Sequence, residues 1–286
     1  MNLERTRLRS WRRVQTLAHA QRRSPRRDPQ ISHRRLRLAR LPEGLEGMRI
    51  AHLSDIHYGL YLSRPALARV LDLTQEQHPD LIVITGDFVT QSPVFIEPVS
   101  EMLGRLRAPL GVFGVLGNHD FRAGAERVSA ALRRHGIQLL RNQHRELRYR
   151  GVSFRLAGVD DSRQHPDVAR AVGARRGFTV LLAHNPRELG AAAACGVDLV
   201  LSGHTHGGQV KFGFAAPLYE RFLPAGHFRE AGTQMYVSRG LGQVILPLRL
   251  GSPPELAVLT LSARKSDSES SDQETQHPFR SIVSGS

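Results

Sequence analysis

The sequence predicts an α/β domain, and three observations carry that expectation. Short runs rich in Val, Ile and Leu recur along the chain, stretches of helical periodicity separate them, and a polar motif follows five of the runs directly. The runs cover residues 49–53, 81–84, 112–116, 180–183 and 199–201, and each has the length and composition of a buried strand. The motifs that follow are, in order, Asp55-Ile56-His57, Gly86-Asp87, Gly117-Asn118-His119-Asp120, His184-Asn185-Pro186 and Gly203-His204-Thr205-His206. Polar residues at strand exits gather at one edge of an open α/β sheet, which is where such folds place their ligands.

The remaining elements follow in chain order. Residues 33–41 alternate in part, with Leu36 and Leu38 on either side of Arg37, and read as a first strand. Helical periodicity marks residues 65–76, 97–107, 123–135 and 187–194. Residues 145–159 hold two strands that turn at Arg150-Gly151, and residues 235–238 and 256–261 supply late strands. Past Ala263 the composition shifts to Ser, Asp, Glu and Gln, the signature of a disordered tail. The expected organisation is a basic extension over residues 1–32, a catalytic α/β domain over 33–262 and a polar tail over 263–286.

Bulk composition sets limits. Apolar residues make up 40% of the 286, enough for a sizeable core, and no run of eighteen apolar residues occurs that could span a bilayer. Cys195 is the only cysteine, which excludes an intrachain disulfide and a Cys-rich zinc module. Of the net charge of +14, the first forty residues carry +11, through thirteen arginines against Glu4 and Asp28. The basic character therefore belongs to the N-terminal extension and says little about the active site.

On a helical wheel Leu3, Leu8, Trp11, Val14, Leu17 and Ala18 share one half, with Arg5, Arg9, Arg12 and Arg13 on the other and Arg7 as an exception. Residues 1–30 are thus a candidate for an amphipathic segment lying on an anionic membrane, with a disordered basic arm as the other reading. Ser10-Trp11-Arg12-Arg13 resembles a twin-Arg export signal, but residues 14–20 are short and interrupted by Gln15, Thr16 and His19, which disfavours export. The expectation is a cytoplasmic protein, peripheral at the inner face of the membrane. Nucleic acid is a disfavoured partner, because no aromatic stacking pattern accompanies the arginines.

Seven residues in the motifs are potential metal ligands, enough for two ions. Asp55 and His57, two apart just past a strand, can reach one cation. Asp87 has two carboxylate oxygens and can bridge two, Asn118 offers an amide oxygen, and His184, His204 and His206 offer imidazole nitrogens. Oxygen and nitrogen donors without thiolate suit Mn²⁺ first, with Zn²⁺ or Fe as alternatives. The glycines before Asp87, Asn118 and His204 suggest tight turns that aim the next side chain inward.

Together these motifs resemble the calcineurin-like metallophosphoesterase superfamily, over about residues 33–262. Leu53-Ser54-Asp55-Ile56-His57, Gly158-Val159-Asp160-Asp161, Ser202-Gly203-His204-Thr205-His206-Gly207-Gly208-Gln209, Ser238-Arg239-Gly240-Leu241-Gly242 and Pro253-Pro254-Glu255 are similar to its bacterial phosphodiesterase-like branch. The resemblance implies a four-layer α/β/β/α sandwich of two mixed sheets flanked by helices. It implies one metal held by Asp55, His57, Asp87 and His206, a second by Asp87, Asn118, His184 and His204, and His119 as catalytic histidine. The protein phosphatases of the superfamily carry an acidic partner that orients this histidine. Here Gly86-Asp87-Phe88-Val89 runs on into Thr90-Gln91-Ser92 without one, so phosphoprotein substrates are disfavoured. Asp120 is a candidate replacement, with a backbone hydrogen bond as the alternative. Asp160 and Arg239 are candidates for supporting the site or touching substrate, and His52 reads as an inter-strand residue.

The expected chemistry is hydrolysis by a hydroxide shared between two cations, with His119 protonating the leaving oxygen. Substrates would be phosphorylated small molecules or lipid-linked compounds, joined through phosphodiester or pyrophosphate bonds. A UDP-2,3-diacylglucosamine-type pyrophosphohydrolase is the lipid-directed alternative, favoured by an apolar groove beside the metals. A non-catalytic scaffold of the same fold is the alternative from another class.

Overall fold

Alternation along the strands sets the layers. The computed structural model describes residues 28–59, 62–174, 177–208, 225–243, 249 and 251–264, so the amphipathic reading of residues 1–27 and most of the 263–286 tail lie outside the described residues. In order the elements are β1 (Gln30–Leu38), β2 (Arg49–Leu53), α1 (Arg64–Glu76), β3 (Leu81–Thr85), α2 (Ile96–Leu103), β4 (Val112–Val115), α3 (Asn118–Arg134), β5 (Gln138–Leu139), β6 (Gln143–Tyr149), β7 (Val152–Gly158), α4 (Val168–Val172), β8 (Thr179–Leu182), α5 (Leu189–Ala194), β9 (Leu199–Ser202), β10 (Gly226–Glu230), β11 (Thr233–Val237) and β12 (Glu255–Ala263). Successive strand side chains point to opposite faces. Ile50, Leu81 and Val83 therefore meet Val180, Leu182, Leu199 and Leu201 in a core between two sheets. Ala51, Leu53, Ile82 and Ile84 face the other way, onto Leu67, Val99 and Leu132 of α1, α2 and α3. On the far side Leu181, Ala183 and Val200 cover Val168, Leu189 and Ala192 of α4 and α5. Three apolar layers bind four structural ones, which is the sandwich the resemblance implies.

Each sheet has six strands, ordered β1-β12-β2-β3-β4-β5 and β10-β11-β9-β8-β7-β6. The central strands β2, β3 and β4 run parallel, as do β7, β8, β9 and β11, while β12 pairs antiparallel with β2 and the outer β6 and β10 pair antiparallel with β7 and β11. The C-terminal ends of β2, β3, β4, β8 and β9 consequently point to one edge. There the loops continue the ladder: Asp55 N–H donates to Gly86 O (3.0 Å), His57 N–H to Asp87 O (2.9 Å) and Gly203 N–H to His184 O (3.0 Å).

Element boundaries differ from expectation where local signals conflict. β1 starts at Gln30, earlier than residue 33, because it pairs in parallel with β12 from Gln30 opposite Glu255 onward. α2 stops at Leu103, where Gly104 caps it. α3 begins at Asn118, five residues early, and its backbone breaks at Gly124 (φ 110°) before the amphipathic part continues. Its first turn carries buried polar residues, which show no apolar period. The short β5 and α4 have too few residues to leave a periodic signal, and β10, Gly-His-Phe-Arg-Glu, lacks the apolar run that marks the other strands. Among the described residues no helix is long and apolar enough to cross a membrane.

Candidate metal centre

All seven candidate ligands meet at the shared edge. Asp55, His57, Asp87, Asn118, His184 and His206 are buried, and only His204 is partly exposed. Asp55, His57 and His206 bring donor atoms within 4.8 Å of one another, as do Asp87, His184 and His204. In the first group His206 Nε2 lies 3.4 Å from Asp55 Oδ1 and 3.2 Å from His57 Nε2. In the second, His184 Nε2 lies 3.1 Å from His204 Nδ1 and 3.2 Å from Asn118 Oδ1. Asp87 joins them: its Oδ2 is 3.4 Å from both His57 Nε2 and His184 Nε2. The two sheets are tied across the cluster by the His204 N–H, which donates to both oxygens of Asp55 (3.2 and 3.0 Å).

The backbone at this edge is strained. Asp55, His57, Asp87, His204 and His206 all have positive φ, between 45° and 71°. A left-handed residue with a side chain costs about 1–2 kcal/mol, and such strain persists only where surrounding structure imposes it. Gly86 (φ 87°) makes a tight turn as expected. Gly117 and Gly203 do not: their requirement is close approach, since a Cβ on Gly117 would collide with Asp87 Oδ1 and one on Gly203 with Ser54 Oγ and Asp55 Oδ2. The reading of all three as turn residues is thus corrected for two of them.

Beneath the cluster runs a buried hydrogen-bond chain. His52 Nε2 meets Thr85 Oγ1 (2.8 Å), Thr85 Oγ1 donates to Ser54 Oγ (2.8 Å), and Ser54 Oγ donates to Asp55 Oδ2 (2.6 Å). The Thr85 carbonyl also accepts from His184 Nδ1 (2.7 Å), which leaves His184 Nε2 facing the donors. His52 is the inter-strand residue the sequence suggested, and burial holds its pKa down at about 4.

Burial alone would push both carboxyls up, but the surrounding imidazoles, His206 first for Asp55 and His184 first for Asp87, hold both below the usual range. Burial lowers His57 to about 3, His206 to about 4, and His204 in the same direction. His184 is the exception: burial lowers it, but Asp87 outweighs burial and raises it to about 10. Imidazole nitrogens and carboxylate oxygens facing one another this closely form a donor set that fits divalent cations, whose binding would displace protons from the imidazole nitrogens that face them.

His119 stands beside this cluster. Its ring packs edge-on to His57 with centroids 4.9 Å apart, its N–H donates to Asp87 Oδ1 (2.8 Å), and its Nδ1 meets the Thr90 carbonyl at 2.6 Å. Thr90 O therefore takes the place of the missing acidic partner, and no side-chain motif could have revealed it. Asp120 does not orient His119. Its oxygens accept from the N–H groups of Gly117 (2.9 Å), Phe88 (2.9 Å) and Val89 (3.3 Å), which fixes the loop carrying Asp87. Burial, then the charge of Asp87, pushes the Asp120 carboxyl up to about 8.

The other candidates lie apart from the donors. Asp160 is paired with Arg141 (3.1 Å), whose guanidinium covers the Phe121 ring. Arg239 pairs with Glu255 (3.1 Å) and bonds Gln30 and Ser32. One residue carried no sequence signal. Arg249, largely buried, donates to His206 Nδ1 (3.1 Å) and to the carbonyls of Gly242, Arg239 and Ser252.

Comparison with known proteins agrees with this geometry. The family model for calcineurin-like phosphoesterases matches residues 48–208. The chain is 33% identical over 234 residues to YkuE, an uncharacterized metallophosphoesterase of Bacillus subtilis, covering 78% of this chain and 82% of that one. It is 33% identical over 237 residues to an uncharacterized metallophosphoesterase of Aquifex aeolicus, covering 79% and 88%. A transmembrane protein with metallophosphoesterase domain from Danio rerio is 32% identical over 251 residues, covering 82% of this chain and 57% of that protein.

Proposed function

Since the chain belongs to the calcineurin-like phosphoesterase family and is a metal-dependent phosphoesterase, we propose that it uses two divalent ions to hydrolyse phosphodiester or pyrophosphate bonds. The observation that supports two ions is Asp87 Oδ2, placed 3.4 Å from a histidine of each donor group. Asp55, His57, Asp87 and His206 would hold one ion, and Asp87, Asn118, His184 and His204 the other. Manganese is favoured by the mixed oxygen and nitrogen donors. Bound ions of this kind supply an acidified water as nucleophile and neutralise phosphoryl oxygens.

The protein's own groups do the rest. Thr90 O accepts the His119 Nδ1–H, so His119 would act as an imidazolium, whose second proton, on Nε2, passes to the departing oxygen and leaves the neutral imidazole. The Thr85 carbonyl holds His184 in one orientation, and the loop ladder holds Asp55 and Asp87 at fixed separation. The complete set of seven ligand positions with His119 argues against a scaffold that has lost its chemistry. Phosphorylated small molecules or lipid-linked compounds are the proposed substrates, with cytoplasmic residence and attachment to an anionic membrane surface through residues 1–30; the Danio rerio relative, by its name, is a transmembrane protein. Protein loaded with Mn²⁺ should bind two ions per chain by elemental analysis and hydrolyse bis-p-nitrophenyl phosphate, with loss of turnover on chelation and recovery on reloading. A single ion per chain at saturation, or turnover that survives chelation, would overturn the proposal.

A further inference from the structure

Beside the second donor group lies a cleft of about 200 Å³ lined by Asn118, Phe121, Arg122, Arg163 and Gln164. Asn118 is shared with the donor cluster, so the cleft opens directly onto it. Arg122 follows Asn118 by four residues in the first part of α3, which sets the two on one face. Arg163 comes from the loop between β7 and α4. That loop is pinned from below: buried Asp161 Oδ1 accepts the Arg163 N–H (3.1 Å), and the Asp161 carbonyl accepts the Gln164 N–H (2.7 Å). The cleft wall is firm as well, because Arg141 covers the Phe121 ring at 5.5 Å and is itself held by Asp160 and Glu126.

None of the nearby acids pairs with Arg122 or Arg163. Asp160 and Glu126 serve Arg141, Oδ1 of buried Asp161 serves the backbone while its Oδ2 is buried without a hydrogen-bond partner, and Arg122 and Arg163 are exposed with no carboxylate partner among the described residues. Two guanidiniums flanking a cleft next to a phosphoryl-cleaving centre form a fork for a second anionic group, and arginine suits phosphate because it binds two oxygens at once.

We propose that Arg122 and Arg163 form a specificity subsite for a second phosphoryl group adjacent to the one attacked, so that the preferred substrate class is pyrophosphate-linked rather than a simple diester. This rests on the hydrolytic reading above. It also deepens it, since bis-p-nitrophenyl phosphate has only one phosphoryl group to offer. The same fork would accept the pyrophosphate of a soluble nucleotide sugar or of a lipid-borne one.

The test compares kcat/KM for bis-p-nitrophenyl phosphate, UDP-glucose and micellar UDP-2,3-diacylglucosamine in Mn²⁺-loaded wild-type protein and in the Arg122→Gln/Arg163→Gln double variant. Loss of charge-assisted hydrogen bonds should lower kcat/KM for the better pyrophosphate substrate about tenfold or more beyond any change in the diester. The Arg122→Lys/Arg163→Lys variant, which keeps the charge, should recover part of that ratio. Preference for the micellar or the soluble substrate identifies the source. A ratio that stays within about threefold in the glutamine variant overturns the subsite. Should wild-type protein hydrolyse none of the three, the hydrolytic reading itself fails. The subsite is then decided by calorimetry with inorganic pyrophosphate: tenfold weaker binding by the glutamine variant supports it, and equal binding overturns it.

Discussion

The two halves of the donor cluster are closed in different ways. Asp55, His57 and His206 are sealed inside, and Arg249 donates to His206 Nδ1 from behind. A neutral imidazole that accepts at Nδ1 carries its proton on Nε2, the nitrogen that faces Asp55 and His57. In the other half His184 Nδ1 donates to a carbonyl, which leaves Nε2 ready to ligate once its proton is displaced, while His204 is partly exposed and Asn118 lines a cleft. In both halves an imidazole must give up its Nε2 proton before an ion binds, but one half is sealed while the other opens through His204 and through Asn118 to a cleft.

Asp87 is the joint between the halves, so its loss should have the largest effect. Asp87→Ala should empty both halves and lower turnover beyond the ~10⁴-fold upper range for a lost proton donor; normal occupancy of either half would break the joint. His119→Ala should lower kcat by ~10²–10⁴ with metal content at the wild-type level. Parallel loss of metal would instead make His119 a ligand. The buried chain under both halves gives a third test. His52 has a folded pKa near 4 against an ordinary 6.5, so only the unfolded chain takes up its proton in that window. Stability should therefore be fully present above pH 6.5 and fall by about 3 kcal/mol as the pH drops toward 4. His57 and His206, also held down by burial, add to that fall in the same window, so thermal melts of His52→Gln should show a fall smaller by about 3 kcal/mol, and an identical fall in the variant would remove the assignment. The smallest effect should come from Arg249→Met, which frees His206 Nδ1 to carry the proton. The closed half should then bind Mn²⁺ about tenfold more tightly, the usual scale for changes behind a ligand. Titration calorimetry would resolve this, and equal shifts in both halves would erase the difference between them.

The ligands were legible because each interrupts an apolar run at its end, and parallel strands carry such interruptions to one edge. The layers came from the family resemblance instead, because continuous apolar runs such as β3 and β8 do not tell one sheet face from the other. Less of the support could be read. The partner of His119 is the Thr90 carbonyl, and a backbone oxygen has no residue signature. Gly117 and Gly203 read as turn formers, but their need for a missing Cβ depends on neighbours distant in sequence. Arg249 and Arg239 are both arginines near glycines, and only the fold separates the one behind His206 from the one spent on Glu255. The start of α3 was hidden because its first turn contributes Asn118 and His119 to the centre rather than apolar contacts to the core.

The pairing of the first strand with the last fixes where the chain enters the domain. Gln30 lies opposite Glu255, and Gln30 Oε1 accepts from Arg239 Nη2 at the start of both strands. Glu255 N–H in turn donates to Gly240 O, and Gly240 sits directly against Asp55. Gln30 therefore lies on the same rim as the donor cluster, not on the far side of the sandwich, so the starts of the first and last strands brace one another beside the place where bonds are broken.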